Sequence, residues 1–126
     1  MTPICRTLGA VLPLLALLTP PAHALESRPA PAPHGSVRLI TPVERATAAT
    51  DVVVAVHFAL DPGWHVYWVN PGESGEPPRL TWITPSHFTA GEPEWPTPAR
   101  LVIGDVVNFG YEHELLLPVR MHPSGP

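Results

Sequence analysis

The sequence predicts an all-β fold, a β-sandwich, and three observations predict it. Short runs with a two-residue period, rich in Val, recur along the chain. Clusters of Gly and Pro separate them, with 9 glycines and 19 prolines in 126 residues. No stretch beyond the N-terminal leader keeps a helical period. Several short strands between Gly/Pro turns are how a sandwich reads in sequence.

Residues 1–24 read as a secretory signal peptide. Arg6 supplies the positive charge, Leu8 to Leu18 is an uncharged apolar run, and Ala22-His23-Ala24 is a small-x-small cleavage pattern. The run is too short to span a bilayer and is interrupted by Pro13. The expected destination is the periplasm. Cys5, the only cysteine, lies in this leader and precedes the apolar run, so it is misplaced for a lipoprotein anchor. A mature chain starting at Leu25 therefore has no thiol for a disulfide, a nucleophile or a metal thiolate.

Residues 25–35 read as a Pro/Ala-rich linker, because Pro29, Pro31 and Pro33 favour an extended, solvated backbone. Residues 36–126 leave room for one domain. Ser36 to Ile40 alternates weakly as a first short strand and stops at Thr41-Pro42. Asp51 to Leu60 alternates well, with Val52, Val54, Val56, Phe58 and Leu60 on one face.

Asp61-Pro62-Gly63 is turn chemistry, and the aromatic run Trp64 to Val69 follows it. Trp64, Val66 and Trp68 share one face, while His65, Tyr67 and Val69 share the other. This strand and the one before it are expected to form an antiparallel hairpin. Its aromatics make it either the centre of a core or a docking surface. Trp64, Trp68, Trp82 and Phe58 are the expected core aromatics.

Arg79 to Ile83 reads as a short strand that places Leu80 and Trp82 together. The turn-rich stretch from Pro85 to Pro98 has Phe88 and Trp95 as its anchors. Asn108 to Glu114 reads as a turn or bulged crossover, and Leu115 to Met121 as a last strand. Pro118 suggests that this strand is an edge or carries a bulge.

Charge and motifs exclude several functions. All 7 basic residues are Arg, against 11 acidic ones, and the net charge of −4 argues against nucleic-acid binding. His57 and His65 could face each other across the expected hairpin, but a metal site needs a third ligand, and no His-x-His or Cys pair supplies one. The residues therefore name no metal ligand set and no cofactor. Ser74, Ser86 and Ser124 lack a nucleophile context, and no glycine-rich loop precedes a helix. No catalytic residue is assigned.

The ordered set Gly-Trp-His-Val-Tyr-Trp-Val-Asn-Pro-Gly-Glu-Ser-Gly at 63–75, Trp-Pro-Thr-Pro at 95–98, and Asn108-Phe109-Gly110-Tyr111-Glu112 leading into Leu115 to Val119 resembles a known family. It is similar to the N-terminal periplasmic domain of the DsbD thiol:disulfide interchange proteins, and among them to the copper-tolerance branch, ScsB. The resemblance spans Val37 to Met121. It implies an immunoglobulin-like sandwich, incomplete at its C-terminus here. It also implies electron relay from a membrane-embedded donor domain to periplasmic thiol–disulfide proteins, in cytochrome c maturation or copper tolerance. In the family that protein-disulfide reductase activity runs through two cysteines downstream of the strand matching Leu115 to Val119, beyond Pro126. By the same resemblance a shielding loop corresponds to Gly104–Phe109, and Tyr67, Asp105, Phe109 and Tyr111 are its candidate partner-binding residues. Two rivals stand beside this reading. One is a cysteine-free sandwich that binds a protein or carbohydrate through Trp64, Tyr67 and Trp68. The other is a His-based copper-binding protein.

Overall fold

A computed structural model describes residues 24–47 and 49–124. The signal peptide expected at 1–24 lies, apart from Ala24, outside these residues. The described chain is an immunoglobulin-like sandwich of two antiparallel sheets with no helix. Its strands are β1 (Leu25–Glu26), β2 (Ala30–Ala32), β3 (Gly35–Thr41), β4 (Val52–Leu60), β5 (His65–Gly72), β6 (Phe88–Pro93), β7 (Ala99–Ile103), β8 (Val106–Glu112) and β9 (Glu114–Pro123). The large sheet runs β1-β3-β4-β9-β6 with β2 also on β3, and the small sheet runs β5-β8-β7.

The alternation in β4 sets its face. Val52 and Val56 are buried, opposite Met121 and Leu117 of β9. Leu115, Leu117 and Val119 are at most 2% exposed and form the floor of the core. Onto it pack Val66 and Trp68 from β5 and Tyr111 from β8, with Leu80, Trp82 and Trp95 from the connections. Phe58 also packs there, while Phe88 joins the neighbouring cluster around Val119.

The hairpin expected between β4 and β5 does not form. β4 pairs with β3 and β9, and β5 pairs with β8 in the other sheet. Asp61-Pro62-Gly63 is instead a corner where the chain changes sheets. Its backbone is used elsewhere: Leu60 N donates to His113 O at 2.8 Å and Asp61 N to His34 O at 3.0 Å. His113, at φ 66, is the matching corner from β8 into β9. His57 and His65 consequently lie in different sheets.

Trp64 stands outside the core, 46% exposed. It belongs to the corner, its N–H donating to Asp61 O at 3.1 Å, so the pleat that turns Val66 and Trp68 inward has not begun. Its ring stacks on His34 instead, with centroids 3.2 Å apart and planes at 4°.

Residues 25–35, expected as a free tether, run along β3 as β1 and β2. An edge position suits their prolines, since a strand facing solvent on one side can spare N–H groups there. Arg79 to Ile83 keeps its alternation, with Leu80 and Trp82 packed inward and Ile83 99% exposed, but joins no ladder. The prolines at 77, 78 and 85 that flank it remove donors at both ends. Pro118 sits in a central strand, not at an edge. Its carbonyl accepts from Glu94 N at 2.8 Å, so its missing N–H faces β6, where the register shifts between Ala90 and Pro93.

Candidate functional site

The small sheet carries the residues singled out from the sequence, and its far end is the hairpin of β7 and β8. Ile103 pairs with Val106, leaving Gly104 and Asp105 as a two-residue turn. Gly104 takes φ 62, as the first position of a primed hairpin turn requires. The stretch 104–109 is therefore a tight turn and then strand, where a loop was expected. Asp105 is exposed at the tip.

A strap crosses the outer side of this sheet. After β5 the segment Glu73-Ser74-Gly75 folds back over β8. Glu73 N donates to Val107 O at 3.1 Å, and Val107 N donates to the Glu73 carboxylate at 2.5 Å. Ser74 gives both its N–H, at 2.9 Å, and its hydroxyl, at 3.2 Å, to Asn108 Oδ1. Asn108 is 0% exposed, and its Nδ2 has no partner among the described residues.

Glycine is required at both ends of the strap. Gly72 has φ 94, and a Cβ there would stand 2.6 Å from Val107 O. Gly75 has φ 87, and a Cβ there would overlap the ring of Tyr67. Tyr67 is thus half-covered by the strap, with His65 at its edge, centroids 4.7 Å apart.

The core side of the sheet is different. Phe109 meets Trp68 edge-on, with centroids 6.4 Å apart. The Tyr111 hydroxyl donates to Pro96 O at 2.7 Å, and its ring stacks on Trp95 at 6.5 Å. Burial pushes the Tyr111 phenol pKa above its usual 10.0. Trp68 Nε1 is buried and has no hydrogen-bond partner among the described residues.

The four candidate residues are therefore not gathered into one cluster. Tyr67 lies under the strap, Asp105 at the hairpin tip, and Phe109 and Tyr111 on the core side. Gly72, Gly75 and Asn108, which complete the arrangement with Ser74, carry no individual sequence signal, and Ser74 stands out there only as a serine without a nucleophile context. Their signal is the order Asn-Pro-Gly-Glu-Ser-Gly followed by Asn-Phe-Gly-Tyr.

A second polar group lies on the outer face of the large sheet. Arg38 donates from Nε to His57 Nδ1 at 3.1 Å and from Nη1 to Glu26 at 2.6 Å. With Nδ1 accepting, His57 carries its ring proton on Nε2, facing Glu114 at 3.0 Å. This chain ties four strands together by side chains. Among the described residues no group of three or more His, Cys, Asp or Glu is placed to hold a metal.

Against known proteins, residues 36–126 match the family described as "Thiol:disulfide interchange protein DsbD, N-terminal". The chain belongs to this family. Among solved structures, the DsbD-type fold described above is similar to the N-terminal periplasmic domain of ScsB from Proteus mirabilis. That likeness has a TM-score of 0.63 at 24% identity and covers 82% of this chain. It takes in 41% of the ScsB chain, so this DsbD-type chain spans well under half of that relative. A search of the curated proteins gives no match.

Proposed function

We propose that this DsbD-type domain serves a periplasmic thiol–disulfide interchange system as a docking domain. It recognises periplasmic thiol–disulfide proteins on one side of the relay and a membrane-embedded electron donor on the other. Cytochrome c maturation and copper tolerance are the processes it would serve. The observation that carries this reading is the family match over residues 36–126.

Cys5 is the sole cysteine of the 126 residues, so electron transfer would use thiols from outside residues 6–126. What these residues can contribute is shape. The strap holds the outer side of the small sheet in one conformation through hydrogen bonds to Val107 and Asn108. The tip at Asp105 projects beyond it as an exposed acidic contact. A fixed surface with a charged tip lowers the ordering cost of docking and steers the encounter.

Isothermal titration of the purified chain with periplasmic thioredoxin-fold oxidoreductases, each reduced and oxidised, tests the reading. Saturable binding that Asp105→Ala weakens is the expected result. No binding to any of them in either state, combined with binding to an oligosaccharide panel, would replace the relay by a carbohydrate module.

Export through residues 1–24 belongs to the same proposal, supported by the Arg6 charge, the apolar run and Ala-His-Ala. N-terminal sequencing of periplasmic protein should begin at Leu25. An intact Met1 on the periplasmic protein would refute cleavage.

A further inference from the structure

The first residues after the expected cleavage site are part of the fold. Ala24 is exposed, and β1 begins at the next residue, with Leu25 opposite Thr41 and Glu26 opposite Ile40. Ser27 extends the pairing. Its N–H donates to Leu39 O at 2.9 Å, and its hydroxyl oxygen accepts from Leu39 N at 2.9 Å. Beyond Arg28 and Pro29, β2 takes up the same partner strand again, from Ala30↔Val37 to Ala32↔Gly35.

Side chains hold this arm at both ends. At its start Glu26 accepts from Arg38 at 2.6 Å. Arg38 is itself oriented by His57 of β4, whose side chain is 11% exposed. At its base His34 turns at φ 62, its carbonyl accepts from Asp61 N at 3.0 Å, and its ring stacks on Trp64. No slack separates Ala24 from the folded body.

A protease takes its substrate as detached, extended backbone on both sides of the bond it cuts, so it acts on segments that are open. Here the residues following the Ala24–Leu25 bond are already paired. We propose that the N-terminal arm closes the Ala24–Leu25 bond to the processing peptidase, so that the leader is removed before the arm docks. The inference rests on the reading of residues 1–24 as a cleavable leader. The reaction is hydrolysis: water adds across the peptide bond, leaving a carboxylate on Ala24 and an α-amine on Leu25. Docking thus sets the order of events. A chain that closes β1 onto β3 first keeps its leader, and is then cut only through the fraction of molecules whose arm is open.

Purified signal peptidase acting on the full 126-residue precursor in nonionic detergent tests this, with cleavage read by mass spectrometry. The reference is Leu117→Asp, which puts a charge where the side chain is 0% exposed and so leaves the chain unfolded by circular dichroism. The folded precursor should be cut about tenfold or more slowly than this reference. Inserting Gly-Ser-Gly-Ser between Ala24 and Leu25 should restore the reference rate in a chain that still folds, because it moves the bond clear of β1. Arg38→Gln, far from the bond in sequence, should raise the folded rate about twofold to fivefold by releasing Glu26. Ser27→Ala, which removes the acceptor for Leu39 N, should act in the same direction. A folded precursor cut as fast as Leu117→Asp overturns the proposal and leaves the leader reading standing. So does a spacer variant cut no faster than the unmodified chain, or a folded rate that neither Arg38→Gln nor Ser27→Ala changes. No cleavage at Ala24 even in Leu117→Asp would sink the leader reading itself, and the proposal with it.

Discussion

Gly75 sits directly against the ring of Tyr67, so closely that a Cβ at position 75 would overlap the ring at Cε2 and Cζ. The contact couples the end of the strap to the middle of β5. Gly75→Ala adds both that overlap and a side chain at φ 87. A loss of about 1–3 kcal/mol is expected in urea unfolding. Combined with Tyr67→Ala, the same substitution should cost less than it does alone. Strict additivity of the two would show that the ring and the strap are not coupled.

Asn108 is the strap's anchor. Asn108→Ala leaves the Ser74 N–H and hydroxyl without their acceptor, at a cost of about 1–3 kcal/mol. Amide exchange at Ser74 should quicken far more than at Leu117 in the floor of the core. Equal changes at both sites would mean that the strap does not open independently.

Tyr111 gives the fold an alkaline limit. Its pKa is raised by desolvation, so the folded state prefers the neutral phenol. The associated stability is fully present below the unfolded value of 10.0 and is lost as pH rises through the higher folded value. Tyr111→Phe should cost about 1 kcal/mol at neutral pH through the lost bond to Pro96 O. It should also flatten the fall in melting temperature above pH 10. An unchanged alkaline slope would mean that another group sets the limit.

The two tryptophans flanking Val66 are expected to differ. Trp68 packs against the core cluster, and Trp68→Ala should cost about 3–5 kcal/mol. Trp64 is 46% exposed on its stack with His34, so Trp64→Ala should cost less than about 1.5 kcal/mol. Chemical denaturation of the two variants side by side separates them, and similar midpoints would contradict the packing described.

The sandwich was legible because alternation survives into it. β9 buries Leu115, Leu117, Val119 and Met121 in strict alternation. β4 buries Val52 and Val56 of its marked face, although Ala55 of the other face is buried too, and even Leu80 and Trp82 point inward without a ladder. Sheet membership was not legible. Asp-Pro-Gly between two alternating runs reads as a hairpin locally, and only the distant carbonyls of His34 and His113 make it a corner. The site was half legible for a similar reason. Tyr67 was visible as the polar-face aromatic of β5, but Gly75 and Asn108 matter through contacts eight and more residues away that no local pattern encodes.

The corners also decide where this sandwich can open. The connections through Asp61–Trp64, Trp95–Pro98 and His113 are short and meet at one end, where Leu60 bonds His113 and Tyr111 bonds Pro96. Between β5 and β6, at the other end, the sheets are joined only by the long segment 73–87, which contributes no strand. The layers are thus stitched like pages at a spine, while at the opposite edge they are held by side-chain packing of Trp82 and Phe88 against Val52, Val119 and Met121. Thermal breathing should part them from that edge, so amides in β4 near Val52 should exchange before those near Leu60.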